Sequence, residues 1–243
     1  MRTLQIANKT LRRLRHWSVT HSFRIYNSTY VNAMEVTRVP RITQADVAAC
    51  DFSFTISEVV AKPYHHLALE DQPIATSPVV PPRNKSYGFS EDDFDEPGCA
   101  ASVILALTAP EHDVGGGGDD DGANKGRRRI LGYAFAFQDW NGMATLNTIA
   151  LDASLRGKGQ GKRLFDAVVQ WASEEGIKGI RVESQSNNVP ACRFYKKQGL
   201  SFGGYDEFVY RAIDEHKTET ALYWYYMLDD GDDEAGRSDA KQA

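Results

Sequence analysis

The chain reads as an α+β fold: a mixed, mostly antiparallel sheet that contains one parallel strand–helix–strand crossover. Two observations lead there. The order of patterns is several β-prone runs, then strand, helix, strand, helix and further strands. Between the first of those late strands and its helix lies Leu155-Arg156-Gly157-Lys158-Gly159-Gln160-Gly161-Lys162-Arg163-Leu164, a turn with glycine at alternate positions. Glycines spaced this way let the backbone fold tightly and present its N–H groups where a helix begins, and a helix start favours an anion.

In chain order, Thr43 and Asp46 suit the N-cap and N3 positions of a short helix. Residues 51–56 alternate polar and apolar, as a half-buried strand does. Residues 69–98 are rich in Pro, Ser and acid, and Pro78, Pro81 and Pro82 exclude a helix there. Residues 101–107 are apolar and β-prone. Residues 111–129 carry four consecutive glycines, Asp119 to Asp121 and Arg127 to Arg129. Such low complexity cannot bury a core and predicts an exposed insertion. Two strands follow, 130–137 and 143–151, joined by a turn holding Asp139, Asn141 and Gly142. After the glycine turn, Leu164, Phe165, Val168, Val169, Trp171 and Ala172 form one apolar stripe, and Gly176 stops that helix. Residues 180–184 alternate again. A second helix starts at the cap Asn188, with Pro190 in its first turn and Gly199 after its end. Residues 208–213 and 221–228 are the expected last strands.

Around this body, residues 1–35 form a basic extension, 36–228 the folded domain, and 229–243 an acidic tail. The first 34 residues hold Arg2, Lys9, Arg12, Arg13, Arg15 and Arg24 and no acid, which is the composition of a mitochondrial presequence or of a disordered basic arm. A formal charge of −5 argues against general nucleic-acid binding. Three cysteines without paired spacing read as free thiols of a reducing, cytoplasmic setting. No apolar run suits a membrane helix. His65 and His66 have no second ligand cluster, so no metal is expected.

The glycine turn is not a P-loop, because Arg156 stands where the first glycine belongs and Arg163 where the hydroxyl belongs. Nor is it a dinucleotide fingerprint, since the third glycine position falls on Lys162 or Leu164. The pattern Arg-x-x-Gly-x-Gly resembles the pyrophosphate loop of the GNAT superfamily of N-acetyltransferases. Asn188-Val189-Pro190-Ala191-Cys192-Arg193-Phe194-Tyr195, ending in Gly199-Leu200, resembles that superfamily's second signature. The stretch from Glu183 to Tyr195, the later Glu219 to Tyr225, and Trp140-Asn141-Gly142 resemble its streptothricin acetyltransferase branch.

That resemblance implies the GNAT fold, acetyl-CoA as co-substrate, and transfer of its acetyl group to a primary amine of a cationic small molecule. It implies cofactor contacts at Ile149, Ala150, Leu151, Arg156, Gly157, Lys158, Gly159, Gln160, Gly161, Lys162, Asn188 and Tyr195. The Leu151 N–H would polarise the thioester oxygen and Tyr195 would act as general acid. Acidic residues that the branch often carries before the cradle strand are replaced by Asn147-Thr148, which leaves Glu183 as the candidate base. Trp140, Tyr205, Asp206 and Tyr223 are the candidate acceptor contacts. A peptide or polyamine acceptor, and a non-catalytic module binding acetyl-CoA or a partner, stay open beside an antibiotic-modifying enzyme acting as a monomer or homodimer.

Overall fold

A computed structural model describes residues 33–94, 98–110 and 128–228. The basic arm up to residue 32, the insertion from 111 to 127 and the acidic tail from 229 lie outside the described residues. The elements are β1 (Glu35–Arg38), α1 (Gln44–Val47), β2 (Phe54–Val60), β3 (Thr76–Lys85), β4 (Ser102–Pro110), β5 (Arg128–Gln138), β6 (Ala144–Leu151), α2 (Gln160–Glu174), β7 (Gly179–Gln185), α3 (Val189–Lys197), β8 (Ser201–Asp206) and β9 (Ala221–Met227). Seven strands form one sheet in the order β1-β4-β5-β6-β7-β9-β8, and β2 pairs with β3 as a separate ribbon. Every pairing is antiparallel except β6 with β7, the expected crossover.

The two faces of the sheet differ. On one, α2 and α3 lie side by side and bury Leu164, Phe165, Val168, Trp171, Val189, Cys192 and Tyr195 against Leu105, Leu107, Leu146, Ile180, Val182 and Trp224. On the other, α1 and a cluster of rings cover the β4–β5 end: Phe52, Phe89 and Phe94 surround Tyr133 with centroids 5.5–5.7 Å away. Over β7 and β9 that second face carries Arg181, Glu183, Tyr223 and Tyr225, none of them buried. Alternation along β7 makes the division sharp, because Ile180, Val182 and Ser184 are buried while Glu183 is exposed.

Local chemistry explains most boundaries. Thr43 and Asp46 form a reciprocal capping box at α1, with Thr43 N–H donating to Asp46 Oδ2 at 2.8 Å. Asn188 Oδ1 accepts from Ala191 N–H at 3.2 Å to start α3. The three prolines sit in β3, which belongs to a two-stranded ribbon where a missing N–H is tolerated; its register slips opposite Ile56 and Glu58. The ribbon is fastened to the end of β7 by Val60 N–H donating to Ser186 O at 2.8 Å. The Arg193 guanidinium, on α3, holds Glu58 of β2 through contacts of 2.5 and 3.1 Å.

The expectation for residues 208–213 is corrected. They are turns, and the strand is β8. Asp206 Oδ1 accepts the N–H groups of Phe208 at 2.7 Å and Val209 at 3.1 Å, bending the chain where alternation suggested extension. In β8 itself, Gly203 lies beneath the Tyr225 ring, whose Cε2 would stand only 2.2 Å from an added Cβ. Arg128 and Arg129, assigned to the insertion, instead open β5.

Leu146 is 1% exposed at the last β6–β7 pair and belongs to the main core. Leu146→Ala is expected to cost about 2–5 kcal/mol in urea unfolding, with an unchanged m-value.

Candidate active site

The parallel ladder between β6 and β7 is short. It joins Ala144 to Ile180, Thr145 to Arg181 and Leu146 to Val182, and then the strands part. β6 continues to Leu151 on the β5 side alone, with a register shift opposite Phe135 and Ala136 that leaves Asn147 as the extra residue. Asp152 N–H donates to Leu131 O of β5 at 2.9 Å. Successive N–H groups of an extended chain point to opposite edges, so the Leu151 N–H turns the other way, into the gap. Ile149 shares that orientation, while Ala150 packs toward α1.

The glycine turn stands at the C-terminal end of this gap. Gly157 and Gly159 have φ of 73° and 79°, a region that side chains with a Cβ avoid. Gly159 is the N-cap of α2, and no side chain caps that end. The first turn of α2 contains no acidic residue. Gln160, Gly161 and Lys162 therefore supply helix-start N–H groups in an anion-favouring field. Gly161 faces α3, where an added Cβ would meet the Phe194 ring in ordinary contact at 3.4 Å. Gln160 is buried, and its Oε1 accepts from Arg163 at 2.9 Å. Lys158 is exposed on the turn.

Arg156 takes a different place from the one its charge suggests. Its guanidinium donates to Leu151 O at 3.1 Å, Ser53 O at 2.6 Å and Asp51 O at 3.4 Å. It ties the end of β6 to the start of the ribbon instead of reaching over the turn.

On the helical side, Tyr195 is 4% exposed, edge-on to Phe194, and its hydroxyl has no hydrogen-bond partner among the described residues. Burial pushes its pKa well above the ordinary tyrosine value, so it stays protonated. Asn188 uses its carbonyl as a cap and keeps its amide hydrogens. Asn187, which the sequence reading passed over, is 3% exposed with neither side-chain atom hydrogen-bonded among the described residues. A buried amide left in that state calls for a partner from outside the chain.

On the open face, Glu183 is paired in register with Tyr223 of β9. Burial, then the nearby carboxylates of Glu183 and Asp206, raise the pKa of Tyr223. Tyr210 reaches back from the loop after β8 to donate to Glu183 Oε1. Beneath that loop, Lys85 Nζ contacts both oxygens of buried Glu219 at 2.5 and 2.6 Å, and His216 Nδ1 lies 3.0 Å from Glu219 Oε1.

Two of the expected acceptor contacts are not brought here. Tyr205 pairs with Leu222 and packs on Tyr64 with centroids 5.0 Å apart, on the helical face. Trp140 is 93% exposed on the β5–β6 hairpin, where it borders a shallow depression with Cys99 and Phe137. The eight residues of β6 put it about 25 Å from the Leu151 end. Asp206 and Tyr223 do share the face of Glu183.

The site this defines is an uncapped helix start, suited to an anion, beside two parallel strands that part. The family pattern described as "Acetyltransferase (GNAT) family" matches residues 87–200. A streptothricin acetyltransferase of Escherichia coli is 36% identical over 168 residues, covering 69% of this chain and 83% of that protein. Streptothricin acetyltransferase A of Bacillus subtilis (strain 168) is 35% identical over 90 residues, covering 37% of this chain and 51% of that protein. A 1.6 Å crystal structure of a Bacillus anthracis str. Ames acetyltransferase in complex with acetyl coenzyme A is 27% identical with a TM-score of 0.59, covering 81% of this chain and 99% of that one. The chain belongs to the acetyltransferase (GNAT) family and is an N-acetyltransferase with acetyl-CoA as its co-substrate.

The residues present fit that co-substrate. The uncapped start of α2 suits a pyrophosphate, the open edge of β6 suits an amide-bearing arm, and the orphaned amide of Asn187 suits a buried polar ligand. Among the described residues no helix is long and apolar enough to cross a membrane.

Gly159→Val forces a β-branched residue to φ near 79° at the cradle. It is expected to lower acetyl-CoA affinity at least about 100-fold by calorimetry, because the N–H groups lose their common direction. Unchanged affinity would show that the turn does not hold the pyrophosphate.

Proposed function

We propose that the protein moves the acetyl group of acetyl-CoA to a primary amine of a cationic small molecule of the streptothricin type. The observation that carries this reading is the placement of Glu183, Asp206, Tyr210 and Tyr223 on one open face beside the strand gap. Carboxylates offset an acceptor's positive charge, and tyrosine faces add cation–π attraction. The 36% identity to a streptothricin acetyltransferase over most of that protein's length supports the same acceptor class.

Bound acetyl-CoA supplies an activated acyl thioester; the rest of the chemistry belongs to the chain. N–H groups of residues 157–162 hold the pyrophosphate, with the charge of Lys158 beside them. Arg156 keeps the end of β6 in place from behind. Ile149 and Ala150 set the edge along which the arm lies, and the Leu151 N–H donates to the thioester oxygen as negative charge grows on it. The amide hydrogens of Asn188 and the buried amide of Asn187 meet the arm from the α3 side.

Acid and base stand on opposite faces of the gap. Glu183, on the open face, takes a proton from the incoming amine, whose ordinary pKa of about 10.4 would leave it protonated at neutral pH. Tyr195, on the helical face, gives a proton to the departing sulfur. Burial keeps the Tyr195 hydroxyl protonated across the working range, and its lack of a partner leaves it available for this donation.

Tyr195→Phe is expected to lower kcat by roughly 100-fold, with acetyl-CoA binding nearly unchanged. A rate within about twofold of the parent would make Tyr195 a packing residue. For the acceptor, free-thiol release is compared for a streptothricin or β-lysine-bearing analogue, spermidine and a lysine-containing peptide. The expected result is the highest kcat/KM for the β-lysine compound; a peptide preferred over it would move the protein to the peptide-modifying branch of the alternatives.

A further inference from the structure

The open face contains a run of hydrogen bonds that all point one way. Tyr87 Oη donates to Gln185 Oε1 at 2.6 Å. Gln185 Nε2 donates to Tyr210 Oη at 2.9 Å and to Glu183 Oε1 at 3.3 Å. Tyr210 Oη donates to the same Glu183 oxygen. The other carboxylate oxygen, Oε2, has no hydrogen-bond partner among the described residues.

The direction follows from the groups themselves. An amide nitrogen only donates and an amide oxygen only accepts, so once Tyr87 and Tyr210 take the two ends of Gln185, both tyrosine protons are assigned. Lys85 Nζ lies 4.4 Å from the centroid of the Tyr87 ring, and Phe54 stacks on that ring at 5.8 Å. Buried Glu219 holds Lys85 from below. The far end of the run is therefore fixed by a cation and an aromatic neighbour from the β2–β3 ribbon, and the near end by a tyrosine from the loop after β8.

We infer that Tyr210, backed by Gln185 and Tyr87, is a positioning residue that holds Glu183 Oε1 and turns Oε2 toward the acceptor amine. The run is not a proton exit. Gln185 interrupts it with an amide that neither gains nor loses a proton readily, so the proton accepted at Oε2 leaves by solvent and the run serves only to aim the carboxylate. A carboxylate on a free side chain samples several rotamers, and holding one oxygen removes that freedom before the amine arrives. This inference rests on Glu183 being the base.

The test uses the full-length enzyme, acetyl-CoA and the preferred amine. Tyr210→Phe keeps the ring and removes the donor, and it is expected to lower kcat about tenfold while KM for acetyl-CoA stays within about twofold. In a Glu183→Gln background, which should itself lose roughly 100-fold or more, the Tyr210→Phe change should add less than about twofold, because there is no longer a base to aim. Tyr87→Phe should give a smaller loss in kcat of about two- to threefold, with the same KM pattern, and it carries the test if Tyr210→Phe fails to fold. A Tyr210→Phe enzyme at the parental rate, or a tenfold loss repeated in full on Glu183→Gln, overturns the positioning role while leaving Glu183 as base. A Glu183→Gln enzyme at the parental rate overturns both.

Discussion

Everything at the site depends on two strands that stop pairing. After Leu146 and Val182 the parallel ladder ends, yet β6 and β7 both continue. Backbone N–H and C=O groups seek partners almost without exception, so an internal edge of this kind is a place for a ligand with its own amides. The surroundings keep the strands apart. On the helical side Phe165 meets Phe194 edge-on at 6.3 Å, which sets α2 and α3 next to each other across the opening. At the end of the gap, Arg156 binds the tip of β6 to the ribbon, and the ribbon in turn is bonded to Ser186 just past β7. The opening is thus braced on its flank and at its mouth.

This division also sorts the chemistry. In the proposed mechanism the acid must stay protonated and benefits from burial, and Tyr195 lies under the helices. The proposed base has to be reached from solvent to take a proton from a charged visitor, and Glu183 is exposed on the other face. The same alternation of β7 that buries Ile180 and Val182 exposes Glu183. One strand therefore supplies core packing and the candidate base from consecutive residues.

What could be seen in the sequence was what chain neighbours decide. The glycine turn, the Asn188 cap, the apolar stripe of α2 and the alternation of β7 are local patterns, and each stands where its residues indicated. Strand β8 was hidden because Gly203 and Gly204 erase the alternation, whereas residues 208–213 imitate a strand until Asp206 takes two of their N–H groups. The charge of Arg156 pointed to an anion; carbonyls from residues 103 and 105 positions away in the chain claim it instead. Trp140 came from resemblance alone, and only the hairpin's place in the sheet shows how far it stands from the gap. The contacts among Tyr87, Gln185, Tyr210 and Glu183 link residues 98, 25 and 27 positions apart, so no local pattern announces them.

The two ends of the site are made of different material. The proposed donor end uses main-chain groups held by glycine conformations and a helix terminus, and a main-chain N–H survives most changes of side chain. The proposed acceptor end is written in side chains borrowed from the ribbon, β7, the loop after β8, and β9. Drift in that second set can redraw which amines are accepted without disturbing the hold on the acetyl donor. The architecture thus separates what must be kept from what is free to evolve.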